Sequence, residues 1–413
     1  MNYILFDDSS RPHLLPFTHT RPVADIRCGI LTMRERWEMC LLKAGYVQGA
    51  VFGQARALAK GPVTTGTLTE PYLQPVFPAN PVKDNVYING AVFGTIALAD
   101  AIFQLEPGQA LAKGYYIIAA RLPENDMGIA DFKEHILTLP SQHYEGEIHS
   151  LKNLWDIFTA NDRAIKEDFE LITKDRNSAP VPDGVTVTGR QNLFMEAGAT
   201  ICAGSIINAT TGPVYIAKDA EILEGVMIRG PLAVGSQAVI KMGAKIYGAT
   251  TIGPGCKVGG EINNVIFFAN SNKAHDGYLG NAVIGEWCNL GADTNCSNLK
   301  NNYAEVKIWD EAANRSVFTG LTFCGLLMGD HSKCGINTMF NTGTIVGVSC
   351  NIFGGGFPEK FIPSFSWGVA EGTKLYDFNR AMETANRMMG RRGKQLSAAE
   401  TEMFKYIYDH HQK

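Results

Sequence analysis

The chain has 413 residues, 45% of them hydrophobic, and 37 Lys and Arg against 41 Asp and Glu give a net charge of −4. That length accommodates two or three domains with cores of their own, and neither charge nor composition points to nucleic acid or a membrane as a partner. The nine cysteines are odd in number and form no CxxC pair, which argues against a disulfide framework and for a reducing cytosol.

Read in chain order, Tyr3–Phe6 is a short apolar strand. The N-terminal residues lack a basic region and a long apolar run, so they read as that strand and not as a leader segment. Residues 7–22 form a loop punctuated by Pro12, Pro16 and Pro22. Residues 24–45 then show helical spacing, with Ile26, Ile30, Met33, Trp37 and Leu41 on one side. Residues 86–90 and 114–121 read as further strands. Over 151–175, Leu154, Ile157, Phe158, Ile165, Phe169 and Ile172 recur at three- and four-residue steps and predict an amphipathic helix. Two prolines and a glycine in 178–184 mark a boundary. The expected division is an α/β domain over 1–177, a repeat domain over 185–366 and a helical tail over 367–413.

The repeat domain carries a hydrophobic residue every sixth position: Ile216, Ile222, Ile228, Val234, Ile240, Ile246, Ile252 and Val258. The rhythm resumes at Met328, Cys334, Phe340, Val346 and Ile352. Neither 3.6 residues per turn nor the strand period of two yields six. A coil of short strands joined by corners does, with one inward anchor per side, so the hexads predict a parallel β-helix. Between Leu290 and Met328 the rhythm lapses over Asn298–Thr319, where a solenoid extrudes a loop. Asp330 and His331 fall at corners, and Gly354, Gly355 and Gly356 are expected to end the solenoid.

The loop after the first strand contains Ser9, Ser10, Arg11, Arg21 and Pro22. A strand–loop–helix start is a phosphate-gripping context, and two guanidinium groups could neutralise a triphosphate. The spacing resembles the signature of sugar-nucleotide pyrophosphorylases, in which a Gly-rich turn ending in Arg precedes a Pro-Lys-Pro element. Asp8, Ser9 and Ser10 replace that family's glycines, and Asn89 stands where it carries a magnesium-binding aspartate. Arg11 and Arg21 can equally pin the loop to Asp7, Asp8 or Asp25.

Within the hexads, His275, Tyr278, Leu279, Gly280, Ile284, Gly285, Asn289, Gly291, Ala292, Thr294, Asn298 and Leu299 form a pattern. It resembles the acetyltransferase half of bifunctional bacterial N-acetylglucosamine-1-phosphate uridyltransferase/glucosamine-1-phosphate acetyltransferases. Archaeal sugar-phosphate nucleotidylyltransferases with an appended β-helix are similar. The resemblance implies a left-handed coil, against the usual right-handed crossover rule, and homotrimers with sites in grooves between subunits. It puts His275 in the role of the base that frees a sugar amine, with Tyr278 and Asn298 as substrate ligands. Gly291 and Ala292 would line the pantetheine arm of acetyl-CoA, and Lys307 would face the pocket from another subunit. Glu261 is kept where the family has a Glu-x-Lys element, but Asn263 replaces its lysine, so Lys241 or Lys245 would supply the cation for a sugar phosphate. The function implied is acetyl-CoA-dependent N-acetylation of glucosamine-1-phosphate, plus Mg²⁺-dependent uridylyl transfer from a nucleoside triphosphate to the sugar-1-phosphate. The alternatives are a single-activity enzyme whose other domain is non-catalytic, or a trimeric scaffold.

Overall fold

The computed structural model describes residues 1–46, 63–124, 128–368 and 373–410. It divides into two compact units. The first comprises Met1–Leu14, Thr20–Ile26 and Leu31–Leu154; the second comprises Leu15–His19, Arg27–Ile30 and Trp155–Lys413.

The first unit is built on a six-stranded mixed sheet of β1 (Asn2–Phe6), β2 (Thr64–Leu68), β3 (Asn85–Asn89), β4 (Gln109–Lys113), β5 (Tyr116–Leu122) and β6 (Ser141–His143). Its strand order is β2-β1-β3-β5-β4-β6. β1 lies parallel to both neighbours, while β5 runs antiparallel to β3 and β4. Ile4, Phe6, Tyr87, Ala120 and Phe132 build one face of its core. The helix expected over 24–45 is shorter: α1 spans Met33–Lys43. Thr32 and Glu35 form a capping box there, which fixes the start. Gly29, at φ +93°, lies in the left-handed region just upstream, so the apolar spacing of Ile26 and Ile30 arises without a helix.

From Trp155 on, the second unit begins with α2 (Asp156–Thr159) and α3 (Asn161–Thr173), the expected helix broken once at Ala160. Then follows a three-sided parallel solenoid of the class the hexads predict. On one side Ile222, Ile240 and Val258 stack in register at intervals of eighteen residues, one anchor per side of each coil. The inward residues form a continuous core from Leu193 to Ile362, and neighbouring coils share parallel ladders along their length. One corner column repeats a left-handed residue down the stack: Asp219, Gln237, Gly255, Asn270, Trp287, His331, Ser349 and Phe365, all with φ between 56° and 66°. The glycines at 354–356 do not end the solenoid. Phe361–Ile362 still pairs with Ile345–Val346, because the coil resumes after the loop. The lapse at 298–319 is an extruded antiparallel hairpin, Lys307–Asp310 against Arg315–Phe318. Two helices, Phe378–Gly390 and Ala398–His410, form the tail.

Candidate functional site

One ladder of the solenoid gathers much of the predicted motif. Lys245, Glu261 and Tyr278 stack in register on successive coils, as do Tyr247, Asn263 and Gly280. The Asn298 amide, 9% exposed, donates to the Tyr278 hydroxyl at 3.1 Å and to Asn281 Oδ1 at 2.8 Å. Asn263 lies on the same ladder, in register with Gly280 on the next coil. Burial raises the phenol's pKa above its usual value, while the two amides pull it back down. The phenol folds over Gly280, where a methyl group would collide with the Tyr278 hydroxyl and the Asn298 amide. Glycine at 280 is therefore a requirement of the cluster itself.

Two members of this network were not singled out in the sequence. Asn281, at φ +47°, takes a conformation that asparagine tolerates better than most residues, and an Asn directly after Gly280 was the available signal. Tyr247 donates to Glu261 Oε1 at 2.7 Å, and that bond is the largest cause raising its pKa to about 12. Glu261 is thereby held as an oriented acceptor beside Tyr278.

His275 sits at the corner immediately before this ladder, three residues ahead of Tyr278, and its side chain is exposed. Lys307 lies on the extruded hairpin, its Nζ 4.0 Å from the Phe318 ring centroid; within one chain it is not drawn into the Tyr278 cluster. Lys241 is half-buried, its Cβ against Gly259, and Lys245 is exposed beside Glu261. Gly291 is required by stacking, since a side chain there would strike the Gly335 backbone. Its N–H donates to Cys334 O, and Ala292 O accepts from Asn337 N. These two residues offer a smooth half-buried surface, with much of their backbone hydrogen bonding already satisfied.

In the first unit the predicted loop is folded onto its own carboxylates. Arg11, 6% exposed, pairs through Nε with Asp7 Oδ2 at 3.3 Å and donates through Nη2 to the Tyr72 hydroxyl at 2.8 Å. Burial pushes the Asp7 carboxyl up to about 6, against the lowering pull of Arg11. Arg21 is also buried, and Ser9 is exposed. Ser10 N donates to Asp8 Oδ1 at 2.8 Å. Asn89 Nδ2 donates to Asp8 Oδ2 at 2.9 Å, and Tyr116 OH reaches the same oxygen at 2.8 Å.

These atoms do not fit a magnesium site. The ion needs near-octahedral oxygen ligation, with carboxylates free to face it. Asn89 Oδ1 already accepts from Ala91 N at 3.0 Å, and its amide nitrogen faces Asp8. Both oxygens of Asp8 accept hydrogen bonds. Among the described residues, no group of three or more His, Cys, Asp or Glu could hold a metal.

Residues 3–177 match a family model described as sugar nucleotidyl transferase. A bifunctional protein GlmU of Synechococcus elongatus is 24% identical over 188 residues, 44% of this chain and 37% of that protein. A bifunctional sugar-1-phosphate nucleotidylyltransferase/acetyltransferase of Sulfurisphaera tokodaii is 27% identical over 146 residues, 35% of this chain and 36% of that protein. The chain thus spans little more than a third of the length of these curated relatives. Among solved structures, the Arabidopsis UDP-N-acetylglucosamine acyltransferase aligns at 13% identity with a TM-score of 0.23, covering 56% of this chain and 90% of that one. Residues 3–177 thus match the sugar nucleotidyl transferase model, and about a third of the chain is similar to a bifunctional sugar-1-phosphate nucleotidylyltransferase/acetyltransferase.

Proposed function

We propose that the solenoid transfers acetyl from acetyl-CoA to the 2-amine of glucosamine-1-phosphate, and that the first unit transfers the uridylyl group of UTP to the phosphate of the product, giving UDP-N-acetylglucosamine and releasing pyrophosphate. The observation that carries the first half is the Asn298–Tyr278 hydrogen bond, with Asn263 and Glu261 on the same ladder, directly after the corner bearing His275. Such a set of hydroxyl and amide groups suits a polyhydroxylated sugar. In the reaction the amine lone pair attacks the thioester carbonyl, a C–N bond forms and the C–S bond breaks. The proton lost by the amine passes to the neutral imidazole of His275 and then to the departing thiolate. General-base assistance of this kind contributes about 10²–10⁴ in rate.

The names of the relatives support both activities. His275 and Lys307 are both exposed, and we assign a groove completed by a second copy, with a homotrimer as the working form. The nine cysteines are unpaired, in keeping with a cytoplasmic setting. Among the described residues no helix is long and apolar enough to cross a membrane.

The test is coenzyme A release from acetyl-CoA with a panel of amino-sugar phosphates. Glucosamine-1-phosphate should be the preferred acceptor, and His275→Ala should lower kcat by about 10²–10⁴ while leaving the assembly intact. Undiminished release by His275→Ala would remove the histidine from the mechanism.

A second reading is favoured by the pairing of Arg11 with Asp7 and of Asn89 with Asp8. In it the first unit binds or regulates without transferring a nucleotide. Radiolabelled UTP incubated with N-acetylglucosamine-1-phosphate separates the two, since pyrophosphate forms only under the first.

A further inference from the structure

Along the solenoid side that carries Ile222, Ile240 and Val258, the next inward slot is filled by Lys273, in register with Val258. Leu290 follows, then Cys334 and Ile352. Lys273 is 1% exposed and ranks among the largest fully buried side chains. The period of six runs through it without a break, from Phe267 to Lys273 to Leu279. A leucine would fill this slot with no charge to desolvate, and burial does press the Lys273 ammonium down to about 8. Asp276 and Asp293 act in the opposite direction.

What the ammonium does is specific. Its Nζ donates to His275 O at 2.6 Å and to Asp276 O at 2.8 Å. Both carbonyls belong to the tight corner that ends at Gly277, φ +111°, and leads into Tyr278. Asp276 O also accepts from Asp293 N on the following coil. The exposed imidazole of His275 therefore projects from a backbone tied from inside the coil.

We propose that Lys273 is a positioning residue for the acetyl transfer: its buried ammonium clamps the backbone of the 275–276 corner and so fixes where the His275 imidazole stands. The inference rests on the base role proposed for His275. Holding a catalytic group in one geometry acts on the chemical step, and a small misplacement is enough to slow it by about 10²-fold.

The full-length protein is assayed by coenzyme A release with glucosamine-1-phosphate. Lys273→Met should lower kcat by about 10- to 100-fold with KM for the sugar phosphate within about twofold. Lys273→Gln keeps amide donors and should recover part of the loss. Lys333→Met is the control: that lysine is also desolvated, and its Nζ donates to His331 O at 2.7 Å, on another corner. It should leave kcat unchanged. A Lys273→Met enzyme with wild-type kcat overturns the inference, as does an equal loss in Lys333→Met. Failure of both Lys273 variants to fold would assign the residue to stability alone and overturn it too. If His275→Ala retains activity, the base reading itself falls, an outcome separate from a silent Lys273→Met beside an inactive His275→Ala.

Discussion

Replacing Gly280 by alanine probes the site through a single methyl group. Gly280 does not have a positive φ, so its backbone accepts a side chain without strain; the cost is steric alone. The new Cβ would run into the Tyr278 hydroxyl and the Asn298 amide nitrogen, and would lie 2.8 Å from Tyr278 Cζ. The phenol must swing away, and with it goes the bond from Asn298. Overpacking of this kind costs about 1–3 kcal/mol. For a unit of this size that lowers Tm by roughly 2–8 °C. Coenzyme A release should fall by about 10-fold or more, because the sugar ligands are displaced. Thermal unfolding and the release assay on the same preparations give both numbers. A cycle with Tyr278→Phe sharpens the argument: with the hydroxyl gone, alanine at 280 should cost about 1 kcal/mol less than in the wild type. Equal costs in the two backgrounds, or a Gly280→Ala enzyme as active as its parent, would refute the account of the cluster.

Asp7 gives a pH prediction with a worked sign. Its folded pKa of about 6 lies above the ordinary 3.8 because burial opposes the charge, so the folded state holds this proton more tightly than the unfolded one. The stability it contributes is full below about pH 4 and is lost as pH rises through 6, about 3 kcal/mol in all. Urea unfolding of Asp7→Asn against wild type should therefore show the variant gaining relative stability across that window, and a constant difference would refute the assignment. Asn161, fully buried, donates to Ala249 O at 2.8 Å and accepts from Gly29 N at 2.7 Å. Asn161→Ala leaves both groups unsatisfied and should cost about 2–4 kcal/mol in the same assay, with little change in acetyl transfer.

The solenoid was legible from the chain alone because its signal is one-dimensional. Each side of each coil needs one inward side chain, so Ile222, Ile240 and Val258 announce their stacking by spacing. The motif from His275 to Asn298 was located by its resemblance to a known acetyltransferase family, not by spacing; the fold then sets Glu261 beside Tyr278 and Asn263 beside Gly280. Spacing also suggested a helix over 24–45, but Ile26 and Ile30 lie outside α1.

Partner choice in three dimensions was not legible. A buried guanidinium takes whichever carboxylate the fold brings near, and Arg11 meets Asp7 and Tyr72, leaving its candidacy for phosphate to be contested. Asn89 turns its amide nitrogen to Asp8, which no spacing rule encodes. Lys273 occupies an anchor slot by period yet reads as a surface residue by type; only the coil's interior, with two carbonyls in reach, makes a buried ammonium tolerable. Periodicity specifies which side of a strand faces in, whereas hydrogen-bond partners depend on distances across the packed chain, and those exist only once it has folded.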